Sequence, residues 1–169
     1  MRKPISIEDF STKSFSIFDK GWFLLSSGDF SENKYNTMTI SWGGLGTMWH
    51  KPIVMVVIRP GRYTFSFINQ YDSFTVNAFS EKYRPALNML GSRSGRVGDK
   101  IKASGLTPTA SLQVAAPSFA EAYLSIECKK IYYNDFVPSN FLVPDIERQY
   151  PQKDYHRMFF GEVLYISME

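Results

Sequence analysis

The stretch of sequence that decides the fold reads NTMTISW at residues 36–42, and glycines follow at positions 43, 44 and 46. Because side chains alternate between the two faces of a strand, Thr37, Thr39 and Ser41 share one face, and three apolar residues share the other. A row of hydroxyls faces either water or a polar ligand that completes its hydrogen bonds. Glycines permit positive φ and close approach of a ligand, so they favour a ligand site. The alternative, a half-exposed strand that ends in a flexible glycine turn, stays open.

Composition limits the class of protein. The chain has 169 residues, of which 44% are hydrophobic and 16% aromatic, and we expect one domain over residues 1–169 with its own core. A net charge of +3 is too small for a nucleic-acid footprint but suits a small anion such as phosphate. The single cysteine, Cys128, and the two histidines, His50 and His156, provide neither a disulfide nor zinc-ligand spacing. Neither a signal-peptide core nor a membrane span is recognisable, so we expect a cytoplasmic protein.

Apolar periodicity predicts a chain made mostly of strands. The predicted strands cover residues 22–27, 35–42, 53–58, 73–79, 124–133 and 157–167. A short helix is predicted over residues 64–70 with Thr64 as its N-cap, and a second begins after the cap Ser80 and ends before Gly91. Short strands with few helices indicate a mainly β fold, namely a closed or nearly closed antiparallel barrel.

The search for chemistry leaves a phosphate site as the main candidate. No Gly-x-Gly-x-x-Gly follows a strand and no phosphate loop is present, so a Rossmann domain is not supported. Cys128 alternates with polar neighbours and is predicted to pack in the core rather than act as a nucleophile. Arg59, Arg62 and Thr64 follow a buried strand, where guanidinium forks and free N–H groups at a helix start can bind phosphate. The alternative, that both arginines are solvated loop charges, stays open.

Five separate segments carry a resemblance to a known family. After NTMTISW and the glycines, the chain reads PIVMVVIRPGRYT, FTVNAFS, SGRVGDKIKASGLTP and HRMFFGEV, in that order. Over roughly residues 20–167 this order resembles the flavin reductase family, and in particular its flavoredoxin-like branch. The resemblance implies an FMN-binding split β-barrel, antiparallel and Greek-key-like, that forms a homodimer with two equivalent sites near the subunit interface.

The resemblance also implies which residues bind FMN. They are Asn36, Met38, Thr39, Ser41, Trp42, Arg59, Arg62, Thr64 and Lys100. The isoalloxazine ring is expected near the first three of these residues, and the phosphate is expected toward Ser41, the two arginines and Thr64. Lys100 is expected near the flavin or its phosphate, although Gly98 departs from the pattern of similar sequences. Trp42 and Trp49 are candidates for walls of the ring, with core packing as the alternative.

The function implied by the resemblance is that of an FMN-dependent oxidoreductase. In such a protein the flavin accepts hydride at N5, while the chain supplies position and hydrogen bonds. NADH, NADPH or a redox partner is expected as the electron donor, and a small molecule or a protein as the acceptor. An electron-carrier module without its own NAD(P)H oxidation is the alternative. A nucleic acid is not expected as a partner, because no aromatic residue interleaves the basic charges of residues 93–102. A membrane is not expected either, because no membrane span is recognisable.

Overall fold

The computed structural model describes residues 2–169, which form ten strands and five short α-helices. The strands are β1 (Lys3–Ile5), β2 (Phe23–Asp29), β3 (Lys34–Ile40), β4 (Gly43–Met48), β5 (Lys51–Ile58), β6 (Ser73–Ala78), β7 (Pro108–Thr109), β8 (Ser118–Phe119), β9 (Leu124–Asp135) and β10 (Arg157–Met168). The helices are α1 (Ser14–Ser16), α2 (Tyr63–Gln70), α3 (Arg84–Ser92), α4 (Lys100–Ser104) and α5 (Pro144–Glu147). A π-helical turn covers Ile17–Gly21, and 3₁₀ turns cover Glu81–Tyr83 and Pro138–Asn140.

The main sheet is antiparallel and open at one place. Its strands run in the order β3-β2-β6-β9-β10-β5-β4, and β1 pairs with the end of β10. Only Ser41 and Trp42 separate β3 from β4, yet these two strands lie at opposite ends of this order and do not pair. The barrel is therefore split between β3 and β4. The predicted mainly β, antiparallel split barrel with a few short helices is confirmed.

Two apolar clusters account for the packing. The larger cluster fills the barrel and includes fully buried side chains such as Val56, Phe74, Ile126 and Phe159. A smaller cluster lies beneath α3, where Leu87 and Leu90 pack with Leu24 and Phe119. Burying such side chains stabilises a fold by about 1.5–3 kcal/mol each. The helix is thereby fixed beside β2 and β3.

Cys128 belongs to the larger cluster, as the sequence predicts. The side chain is fully buried, and burial raises the pKa of its thiol well above the ordinary value. A thiol whose ionisation is suppressed in this way is a poor nucleophile. The residue therefore packs as part of the core.

The alternative of a flexible glycine turn after residue 42 is wrong. Residues 43, 44 and 46 belong to β4, which pairs with β5, and none of the three has a positive φ. At Gly43 a Cβ would lie 2.4 Å from Cε1 of Phe18, so the missing side chain lets that ring pack against the strand. Positive φ occurs instead at Trp49 and His50, with values of 53° and 58°, and these residues form the turn between β4 and β5.

Both predicted helix caps are also wrong. Helix α2 begins one residue earlier than predicted, at Tyr63, and the hydroxyl of Thr64 accepts a hydrogen bond of 2.8 Å from Nδ2 of Asn36. Ser80 makes no capping bond, because the 3₁₀ turn lies between it and α3. The side chain of Asp99 does cap α4, since it accepts a hydrogen bond from the main-chain N–H of Lys102. In residues 2–169, no helix is both long and apolar enough to cross a membrane.

Candidate functional site

Two chambers lie next to each other along β3. The first, which we call the aromatic chamber, has a volume of about 180 Å³ and contains Trp42 and His156. The second, the basic chamber, has a volume of about 160 Å³ and contains Arg93 and Arg96. Each of the nine residues predicted from the sequence lines at least one of them. Thr39, Ser41, Trp42 and Arg59 line the aromatic chamber; Asn36, Thr64 and Lys100 line the basic chamber; Met38 and Arg62 line both.

The two tryptophans considered as ring walls lie in different places. Trp42 lies in the two-residue connection between β3 and β4, and its ring centroid is 5.2 Å from that of His156 in the aromatic chamber. Trp49 lies in the β4–β5 turn, where it packs against Tyr132 and Phe160 and lines neither chamber. Both side chains are exposed, at 44% and 55%, so the core-packing alternative is wrong for both. Only Trp42 can contact a ligand in the aromatic chamber.

Arg59 joins the aromatic chamber to the segment before β10. Its Nη1 forms an ion pair with Asp154 at 2.7 Å, and its Nη2 donates to the carbonyl oxygen of Gln149 at 2.8 Å. Its guanidinium carbon also lies 4.8 Å from the ring centroid of Tyr150. For Arg59 the alternative of a solvated loop charge is therefore wrong. The side chain holds residues 149–154 against the end of β5.

His156 is a member of the site that the sequence reasoning did not assign. Its imidazole is buried, and Nδ1 lies 2.8 Å from the hydroxyl of Tyr150. Burial, followed by the nearby charge of Arg59, lowers the pKa of His156 to about 4. The imidazole is therefore neutral near pH 7. Two features of the sequence could have pointed to it: the chain has only two histidines, and this one begins the HRMFFGEV segment.

The cations of the basic chamber are held by main-chain carbonyl groups. Lys100, at the start of α4, donates from Nζ to the carbonyl oxygens of Leu90 at 2.8 Å and Arg93 at 3.1 Å. Burial, followed by the charge of Arg62, lowers the pKa of Lys100 to about 8. Arg62 itself donates to the carbonyl oxygen of Gly91 at 3.0 Å. Positive charge is thus concentrated and positioned where residues 90–100 pass over β3.

Gly95 allows this loop to pack closely. A Cβ at this position would lie 2.4 Å from Oδ1 of Asn36 and 3.0 Å from Cδ1 of Tyr63. Oδ1 belongs to the same amide that donates to the hydroxyl of Thr64. The missing side chain therefore lets the loop pack directly against the Asn36 amide, which is hydrogen-bonded to Thr64.

The predicted row of ligand-binding hydroxyls is not present as such. Thr37 is fully buried; its hydroxyl accepts a hydrogen bond from Ser26 at 2.9 Å and donates one to the carbonyl oxygen of Leu25 at 2.7 Å. Thr39 donates to the carbonyl oxygen of Leu87 in α3 at 2.6 Å. For Thr37 and Thr39, β2 and α3 supply the partners that a ligand was expected to supply, whereas Ser41 lies beyond the end of β3 and lines the aromatic chamber.

The donor groups of the two chambers fit a phosphorylated planar ring. Two arginines, Arg93 and Arg96, and the buried Lys100 can bind an anion through charge-assisted hydrogen bonds. Met38 and Trp42 provide apolar and aromatic surface for a ring. Within residues 2–169, His, Cys, Asp and Glu side chains form no group of three that could hold a metal ion. The shared residues Met38 and Arg62 would lie at the junction between ring and phosphate.

Comparisons with known proteins agree with this arrangement. The family model described as flavin reductase like domain matches residues 15–169. None of the curated proteins compared matches the chain. Among solved structures, the chain is similar to flavoredoxin of Desulfovibrio vulgaris (Miyazaki F), with a TM-score of 0.69 and 22% identity, covering 98% of this chain and 77% of that one.

Two further solved structures have the same fold. An FMN-binding protein from Thermus thermophilus, with p-hydroxybenzaldehyde bound, gives a TM-score of 0.70 at 20% identity, over 100% of this chain and 82% of that one. The NADH:FAD oxidoreductase of Streptomyces globisporus C-1027 gives a TM-score of 0.67 at 15% identity, over 88% of this chain and 75% of that one. At these identities the likeness establishes the split-barrel fold.

Proposed function

The chain belongs to the flavin reductase like domain family, and we propose that it is an FMN-dependent oxidoreductase whose cofactor spans the aromatic and basic chambers. Membership of this family supports a flavin-linked redox function. The observation that carries the specific proposal is the arrangement of the two chambers, which share Met38 and Arg62. One is aromatic and the other cationic, as the two ends of FMN require.

The charges support a definite orientation of FMN. We place the phosphate in the basic chamber, near Arg62, Thr64 and Lys100, and the isoalloxazine ring in the aromatic chamber beside Trp42. Asn36 then lies at the phosphate end, whereas Ser41 and Arg59 lie at the ring end. For these last three residues the orientation is the reverse of the one taken from the family resemblance. The reason is that Arg59 is already paired with Asp154, while the cations around Lys100 are held only by neutral carbonyl groups.

The side chains of this chain bind and orient, while the cofactor supplies the redox chemistry when it is bound. Lys100 and the arginines hold the anionic end of the cofactor, and Trp42 covers part of the aromatic chamber. The neutral imidazole of His156 can form a hydrogen bond there without adding a positive charge. We further propose NADH or NADPH as electron donor, a small molecule or a protein as acceptor, a homodimeric assembly and a cytoplasmic location.

Flavin titration tests the cofactor and its orientation. FMN and riboflavin are added separately to the purified protein, and binding is followed by the quenching of flavin fluorescence. We expect FMN to bind at least tenfold more tightly than riboflavin, because charge-assisted hydrogen bonds contribute about 1.5–3 kcal/mol each. Equal affinities would remove the phosphate from the basic chamber, and no binding of either flavin would refute the cofactor.

Anaerobic mixing with a nicotinamide tests the reaction. The FMN-loaded protein is mixed with NADH and, separately, with NADPH, and the flavin absorbance is recorded over time. Bleaching with either donor is the result expected for a reductase. If the oxidised spectrum persists with both donors, the chain does not oxidise NAD(P)H, and the electron-carrier alternative takes its place. Sedimentation velocity of the same sample determines whether the chain is a dimer.

A further inference from the structure

Tyr150 and His156 form a buried pair at the edge of the aromatic chamber. The two side chains are only 4% and 8% exposed, and the hydroxyl of Tyr150 lies 2.8 Å from Nδ1 of His156. The tyrosine ring is fixed from several sides. Arg59 lies over it, and the rings of Phe141 and Tyr155 pack against it with centroid distances of 5.7 Å and 5.0 Å. The hydroxyl is therefore aimed at one nitrogen of the imidazole.

Hydrogen-bond accounting decides which of the two groups donates. Among the hydrogen bonds of residues 2–169, the Tyr150 hydroxyl has a single partner, Nδ1 of His156. If Nδ1 carried the hydrogen and donated it, the buried O–H of Tyr150 would be left without an acceptor, which costs about 1–3 kcal/mol. Burial also raises the pKa of Tyr150, so the hydroxyl keeps its proton. The tyrosine therefore donates to Nδ1, and the hydrogen of the neutral imidazole lies on Nε2.

We propose that Tyr150 is a positioning residue that fixes His156 as the Nε2–H tautomer, so that His156 offers a neutral hydrogen-bond donor to an acceptor atom of the molecule bound in the aromatic chamber. Nε2 makes no hydrogen bond within the described part of the chain, although the imidazole lines that chamber. The identity of the bound molecule rests on the proposed function, whereas the assignment of the His156 tautomer does not depend on it.

The surrounding charges keep the donor neutral. Arg59 and Arg62 face the imidazole from the end of β5 and the start of α2, and Asp154 faces it from the segment before β10. A third cation beside two guanidinium groups is unfavourable, and Asp154 is already paired with Arg59. Donation by Tyr150 to Nδ1 favours the neutral imidazole further, because protonation of Nδ1 would break that bond.

Nitrogen NMR of the two histidines tests the tautomer without any flavin. The full chain is labelled with ¹⁵N-histidine, and His50→Gln assigns the remaining signal to His156. We expect His156 to be a single, neutral Nε2–H tautomer at every pH from 5.5 to 8. An Nδ1–H tautomer, a mixture of tautomers or a protonated ring in this range would overturn the proposal.

Tyr150→Phe removes the hydroxyl and keeps the ring that packs with Arg59. We expect His156 to become a mixture of the two tautomers, while burial and Arg59 continue to hold its pKa below the ordinary value. The matched control is Tyr155→Phe, because that neighbouring hydroxyl donates to Glu147 at 3.0 Å and not to His156. The control should keep the wild-type spectrum. An unchanged spectrum in Tyr150→Phe, or the same change in both variants, would refute the positioning role.

Saturation with FMN tests whether the donor is used. We expect the Nε2–H resonance of His156 to shift and its exchange with water to slow at least fivefold, while His50 is unaffected. A flavin that binds by fluorescence and leaves His156 unchanged would refute donation to the bound molecule. Failure of the protein to bind FMN at all would refute the proposed function, whereas the flavin-free spectra alone decide the role of Tyr150.

Discussion

The basic and aromatic chambers share two residues but are stabilised in different ways. Around the basic chamber, Lys100 donates to the main-chain carbonyl groups of Leu90 and Arg93, and Arg62 donates to that of Gly91, so uncharged acceptors fix both cations. The aromatic chamber combines residues 38–42, 57–62 and 156, and its closure depends on Arg59 and Asp154, which are far apart in sequence. Neutral carbonyl groups therefore hold the cations of the basic chamber, whereas an ion pair closes the aromatic chamber. Under the proposed function, a substitution in the basic chamber should lower the affinity for FMN only. A substitution in the aromatic chamber should lower the affinities for FMN and riboflavin alike.

The largest expected effect comes from removing the buried cation. For Lys100→Met we expect FMN affinity to fall ten- to a hundredfold, because a charge-assisted hydrogen bond contributes about 1.5–3 kcal/mol. Riboflavin affinity should stay within about twofold of wild type. Fluorescence titrations with both flavins measure the difference, and Lys102→Met, on the exposed side of α4, is the matched control. Parallel losses for both flavins would show that the chambers are not independent.

The titration of Lys100 provides the same comparison without a substitution. Its pKa is about 8 in the flavin-free protein, and a bound phosphate dianion should raise it. Above about pH 8, FMN binding then requires proton uptake, so the affinity should fall by about tenfold between pH 7.5 and 9.5. Riboflavin affinity should be flat over this window, as should FMN affinity in Lys100→Met. A decline shared by FMN and riboflavin would assign the titration to the ring or to another group.

Gly95→Ala should disturb the packing of the loop that covers the basic chamber. The added Cβ would meet Oδ1 of Asn36 at 2.4 Å, so the loop or the amide must move, and such overpacking costs about 1–3 kcal/mol. We expect FMN affinity to fall about tenfold. Gly61→Ala is the matched control, because a Cβ at that position of the same chamber meets nothing within 4 Å. Equal behaviour of the two variants would mean that the loop does not close on the cofactor.

Arg59→Ala should lower the affinities for both flavins, because Arg59 belongs to the aromatic chamber. The substitution removes the ion pair with Asp154 and the contact with Tyr150, so residues 149–154 lose their attachment to β5. Misplacement of these residues should weaken FMN and riboflavin together, by about fivefold. Asp145→Asn breaks an exposed ion pair with Arg148, just before residues 149–154, and serves as the control. A loss confined to FMN would instead place the phosphate beside Arg59, as the family resemblance implies.

The sequence was most informative where one residue pattern determines one local structure. The continuous apolar run of β5 and the alternation around Cys128 in β9 identified those two strands, because burial on fixed faces imposes these patterns. The three glycines of β4 misled the prediction. Glycine usually marks a turn, and only the tertiary contact of Gly43 with Phe18 explains why a strand needs one there.

The candidate site was predictable as a set of residues but not as an arrangement. The nine residues taken from the family resemblance do line the two chambers. Their pairing was not predictable, because alternation assigns a side chain to a face and does not say what covers that face. Asp154 and Tyr150 lie in a proline-interrupted segment without a regular pattern, and only the fold brings them to Arg59 and His156.

Thr39→Val should give the smallest effect on binding and tests whether lining a chamber implies contact with its ligand. Thr39 lines the aromatic chamber, yet its hydroxyl donates to the carbonyl oxygen of Leu87 at 2.6 Å. Valine keeps the shape of the side chain and removes this bond, so we expect the free energy of unfolding in urea to fall by about 1 kcal/mol. The affinities for FMN and riboflavin should both stay within about twofold of wild type. Thr47→Val, at an exposed position of β4, controls for the loss of a hydroxyl from a strand. If the flavin affinity falls while the free energy of unfolding is unchanged, the Thr39 hydroxyl turns from α3 to the ligand. Thr39 would then be a ligand-binding residue and not one whose hydroxyl is held by α3.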